Sequence, residues 1–105
     1  MGIGLGLRVI ALAAGDTVGA LLAAVRAGGE GADAIIVDVA PDIAALERHL
    51  ILAAIAPLAI ELAPGIRLCA IDIGEGAAPE DVAAVRDWLA GADCTTGQVV
   101  AVTRE

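Results

Sequence analysis

Residues 61–74, Glu61-Leu62-Ala63-Pro64-Gly65-Ile66-Arg67-Leu68-Cys69-Ala70-Ile71-Asp72-Ile73-Gly74, hold a helix end, a turn and a strand in one short passage. Pro64-Gly65 stops the preceding helix, because proline cannot continue the helical hydrogen bonding and glycine adopts the conformations that end a helix. Arg67 to Ile73 is then a mostly apolar run with β-branched residues, without polar alternation, which predicts a strand buried on both faces. Such a strand belongs to a parallel sheet covered by helices on both sides. The glycine-rich loop Gly74-Glu75-Gly76 follows. Pro79, Glu80 and Asp81 then open a helix that reaches about Ala90 and stops at Gly91, with proline and the two acids suited to a helix start.

The same pattern extends outward in both directions. Gln98 to Thr103 (QVVAVT) is the last strand, and Leu7 to Ala13 (LRVIALA) and Ala34 to Val39 (AIIVDV) are two earlier strands of the same doubly apolar kind. Asp16 or Thr17 caps a helix that runs to about Ala27 and is stopped by Gly28-Gly29. Pro41 fits the first turn of another helix, with Asp42 adding charge near its positive end, and this helix continues to about Ala63 with a kink or interruption near Pro57. The order βαβαβαβ predicts one α/β domain over residues 1–105. The expected architecture is a three-layer α/β/α sandwich around a mostly parallel sheet of about four strands, joined by right-handed crossovers.

Composition narrows the classes of function. The chain has 105 residues, enough for one small domain, and 59% of them are hydrophobic, yet Trp88 is the sole aromatic residue. A core of Ala, Val, Ile and Leu buries less area per residue than one with rings, so stabilisation by packing against another subunit is expected. Six Arg, no Lys and fourteen acids give a net charge of −8. That balance offers no basic groove for a phosphate backbone and excludes nucleic acid as a partner. The most apolar stretch, Leu50 to Ile60, is interrupted by Pro57 and falls well short of the roughly 20 residues needed to cross a bilayer, so no membrane span is expected. Glycines stand at the amino terminus where a secretory leader would carry charge and a long apolar run, which predicts a cytoplasmic chain. Cys69 and Cys94 lack CxxC spacing and read as buried thiols of that compartment, with a disulfide as the alternative.

The passage from Glu61 to Gly74 resembles the "ELAPxGIRVNAIxPG" segment of the short-chain dehydrogenase/reductase family. The resemblance continues through Pro79-Glu80-Asp81-Val82-Ala83, Trp88-Leu89-Ala90 and Thr96-Gly97-Gln98-Val99-Val100-Ala101-Val102, which are similar to the family's "PEDVAxxVxFLAS…TGQxxxVDGG" ending. The likeness to 3-oxoacyl-ACP reductases covers about 45 residues in order and implies a Rossmann-like fold, NAD(P) as cofactor and oxidoreductase activity. Complete members are more than twice as long. Counting back from Glu61 places the family's Tyr-xxx-Lys pair at Ala44 and Arg48, and Ser, Tyr, Lys and Asn are absent from the chain. The family's proton donor is a tyrosine hydroxyl, which alanine cannot replace.

Other candidates carry weaker chemistry. Gly2-Ile3-Gly4-Leu5-Gly6 precedes a strand instead of following one, so it does not fit a pyrophosphate turn, and a truncated or flexible terminus is expected there. The turn Ala14-Gly15-Asp16 has one glycine and an acid that repels phosphate. Gly15, Asp38 and Arg48 remain the candidates for cofactor contact. Asp38 and Asp72 stand near the carboxyl ends of strands, where α/β folds place ligands, and form the best pair for acid–base work or cap neighbouring loops. Arg48 reads as an ion-pairing residue near Glu47. His49, the single histidine, has no partner at ligand spacing, so no metal is expected.

From Ala44 to Ala63 the polar residues are Glu47, Arg48, His49 and Glu61, which leaves more than one helical face apolar and in need of cover. The resemblance implies that this helix and the last helix and strand form subunit interfaces, with Leu50, Ala54, Leu58, Trp88, Val100 and Val102 as the expected contacts. Three functions follow: a non-catalytic domain that assembles with itself or with an active reductase subunit, an NAD(P)-dependent oxidoreductase active only in a complex, or a small ligand-binding module over Ala14-Gly15-Asp16, Ala40 and Gly74-Glu75-Gly76.

Overall fold

The computed structural model describes residues 6–28, 31–92 and 96–104. Within them lie β1 (Leu7–Leu12), α1 (Val18–Gly28), β2 (Ala34–Val39), α2 (Ala45–Leu62), β3 (Arg67–Ile73), α3 (Pro79–Gly91) and β4 (Val99–Val102). The four strands form one parallel sheet in the order β1-β2-β3-β4. Sequence pattern thus specifies the α/β/α sandwich, and it gives β2 and β3 to the residue.

Side chains alternate across each strand, so neighbouring residues serve different layers. Ile35, Val37 and Val39 of β2 and Leu68 and Ala70 of β3 join Leu12, Leu21 and Val25 and the α2 residues Ile51, Ile55 and Ala59 in one core. Ile36 of β2 and Cys69 and Ile71 of β3 point the other way, against Val82 and Leu89 of α3 and Val102 of β4. Helices α1 and α2 therefore cover one face and α3 the other.

This arrangement corrects the expectation of uniform crossovers. Each connection advances one place across the sheet in the same direction, but α3 lies on the face opposite α1 and α2. Its crossover has the opposite hand to the two before it, so right-handed connection throughout, the strong default, does not hold. Hydrogen bonds fix the last unit in place. The Arg67 guanidinium, at the start of β3, donates to the carbonyls of Leu89, Ala90 and Ala92 at 3.3, 3.3 and 2.8 Å and so serves the orphan acceptors at the end of α3. Leu68 N–H donates to Thr96 Oγ1 at 3.0 Å, and Gly97 N–H to Leu68 O at 2.7 Å. Gly74 approaches closely: a Cβ there would stand 3.1 Å from Val102 O.

Two further expectations change. Strand β1 is not buried on both faces. It is a sheet edge, and Leu7 and Val9 are 36% and 45% exposed because the α3 core draws on β2, β3 and β4 but not on β1. Helix α2 begins at Ala45, not at Pro41, and runs through Pro57 without interruption. Pro41 and Asp42 form a turn instead, which drops Ile43 into the core at 4% exposure. The expected termini of β1, α1, α3 and β4 each shift by a residue or two. Gly2-Ile3-Gly4-Leu5, Gly29 and Cys94 lie outside the described residues, and Cys69 is buried on the α3 side of β3.

Candidate functional site

The carboxyl ends of the strands gather the loops after β1, β2 and β3, where parallel α/β sheets bind ligands. Asp38 stands opposite Ile71 in the β2–β3 register, and Asp72 opposite Val39. A one-residue offset turns adjacent side chains to opposite faces. Asp38 points to the α3 side and Asp72 to the α2 side, so the two acids do not form the expected pair.

Each acid meets an arginine. Arg86 of α3 donates through Nη2 to Asp38 Oδ2 at 2.6 Å, with the side chains 30% and 13% exposed. Asp38 Oδ1 and Arg86 Nε are buried without a hydrogen-bond partner among the described residues. On the other face Arg48 of α2 pairs with Asp72 through Nη2. The same Nη2 donates to Ile73 O at 2.7 Å, and Nη1 donates to Ala40 O. One guanidinium thus ties α2 to the loops after β2 and β3 through charge-assisted bonds.

Ala44, one turn before Arg48, is the N-cap of α2 and makes no side-chain cap; its carbonyl accepts from Arg48 N–H at 2.8 Å. Glu47 does not serve Arg48. Its Oε1 accepts the N–H of Val18, the first residue of α1, at 3.2 Å, while Thr17 Oγ1 accepts from Ala20 N–H at 3.2 Å. Gly15, with φ of +91°, makes the turn after β1, which Asp16 closes by accepting Ala13 N–H at 2.8 Å. His49 is exposed. No group of three or more His, Cys, Asp and Glu among the described residues is placed to hold a metal ion.

The expected interface residues divide. Leu50 and Trp88 are 40% and 61% exposed, whereas Ala54 and Leu58 pack against the α1/α2 core, Val100 packs against the α3 core, and Val102 lies within it. The outward face of α2 is instead Leu46, Leu50, Ala53, Pro57 and Ile60, with Leu46 and Ile60 at 70% and 77% exposure. Its spacing of alternating fours and threes is legible in the sequence. Repeated steps of four from Leu50 miss it, because each such step drifts about 40° around a helix of 3.6 residues per turn. Arg86, Arg67 and Glu47 make long-range hydrogen bonds that sequence pattern does not reveal, since their partners lie far away in the chain.

Among the described residues, no helix is long and apolar enough to cross a membrane. No curated protein and no solved structure matches the chain. The family model of the short chain dehydrogenase-like proteins matches residues 8–102. With a parallel α/β/α sandwich beneath that match, the chain belongs to the short chain dehydrogenase-like family.

Proposed function

We propose that this domain carries out no hydride transfer on its own and serves as an assembly subunit, joining copies of itself or an active reductase. The observation behind this reading is the occupation of Arg48. At the position where the family resemblance puts the ribose-binding lysine, the guanidinium is spent on Asp72, Ala40 O and Ile73 O. Its predecessor by one turn, Ala44, has no proton to give. The residues present do not fit a nicotinamide dinucleotide: the turn after β1 offers phosphate the carboxylate of Asp16, and the Asp38 carboxylate is turned to Arg86. The apolar stripe Leu46, Leu50, Ala53, Pro57 and Ile60 supports assembly, since a helix apolar on both faces needs cover on both.

Thermal unfolding with and without NAD(H) and NADP(H) tests the first half. No shift in Tm is expected at millimolar cofactor, because a ligand stabilises only the state it binds, and a rise of several degrees would overturn the reading. Native mass spectrometry tests the second half: oligomers are expected for the wild type, the Leu50→Glu/Ile60→Glu double substitution should lower their order by removing the contact through α2, and a monomeric wild type would overturn the reading.

A further inference from the structure

The two edges of the sheet are unlike. Strand β4 is four residues long, whereas β1 has six residues, pairs only with β2 among the described residues, and carries no proline; its one charge is Arg8. A long apolar edge is a template for a further strand unless something blunts it. We propose that the β1 edge pairs with β1 of a second copy, antiparallel about a two-fold axis, to make a continuous eight-stranded sheet.

The distribution of charge along the edge selects this occupant. Arg8 stands near the amino end of β1. The Asp16 carboxylate is held at the carboxyl end by its bond from Ala13 N–H at 2.8 Å. A two-fold axis inverts this order, so Arg8 of one strand approaches the Asp16 end of the other. Side chains that face each other across an antiparallel pair share a face of the sheet. The register with Ile10 opposite Ile10 therefore sets Val9 against Ala11, and Arg8 against Leu12 of the second copy, one residue from its Asp16 carboxylate. The contact occurs twice by symmetry. Leu7, Val9 and Ala11 of both copies then form one apolar band on the α3 side of the joint.

This interface is separate from the α2 stripe, and the test separates them. In the Leu50→Glu/Ile60→Glu chain, native mass spectrometry should still find a dimer. Adding Arg8→Glu, which replaces two attractive contacts with two repulsive ones, should weaken that dimer about tenfold or more. Combining Arg8→Glu with Asp16→Arg should restore most of the loss, with circular dichroism to verify the fold of each variant. Hydrogen exchange gives an independent measure, since protection of the outward β1 amides should rise with protein concentration. A folded Leu50→Glu/Ile60→Glu monomer would overturn the proposal, as it would if the edge served another protein's strand. So would a dimer indifferent to Arg8→Glu.

Discussion

The two faces of the sheet are built from the same residue types but to different plans. On one side, α1 and α2 lay Leu21, Val25, Ile51, Ile55 and Ala59 over β1, β2 and β3. On the other, α3 alone brings Val82 and Leu89 to β2, β3 and β4. Each face leaves one edge strand bare: Leu7, Val9 and Ala11 on the α3 side, Val99 and Ala101 on the α2 side. Each face also has its own Asp–Arg pair, but Arg48 gathers three acceptors and Arg86 one. The thicker layer is thus the one whose loops are also tied together, and the thinner layer has the less complete polar network.

That contrast predicts a ranking of stabilities. Ile55→Ala, at a fully buried position on α2 in the larger core, should cost about 4 kcal/mol, and Leu89→Ala about 3 kcal/mol, because the smaller core around Leu89 has more room to relax into the void. Urea unfolding of both variants measures this, and equal or reversed costs would break the comparison. Arg48→Met should cost about 2 kcal/mol and Arg86→Met about 1 kcal/mol, because Arg48 loses more charged hydrogen bonds than Arg86. The smallest effect belongs to Glu47→Gln, about 0.5 kcal/mol in the same assay, since the amide oxygen can still accept Val18 N–H but without the charge that favours a helix start.

How far the sequence discloses this molecule depends on the range of the interaction that decides each feature. Strands β2 and β3 are bounded by local punctuation, glycines before and Pro41 or Gly74 after, and their doubly apolar runs are long enough to stand out. Strand β1 has the same composition, yet whether its second face is covered depends on how far α3 reaches, and α3 lies some 70 residues downstream. Helix α2 starts late because Ile43 is recruited by the core and Arg48 holds Ala40 O, a tertiary demand that overrides the fit of Pro41 to a helix start. The acids at the strand ends are visible as candidates. Their arginines are not, because Arg48 is 24 residues from Asp72 and Arg86 is 48 from Asp38, and no periodicity links positions so far apart.

The bond from Val18 N–H to Glu47 places part of the specification of the first helix inside the second. A peptide ending before residue 47 would contain every residue of α1 and still lack the acceptor of its first N–H. For a chain cut between these helices, the first fragment is expected to be less helical alone than when mixed with the second, a difference that circular dichroism measures.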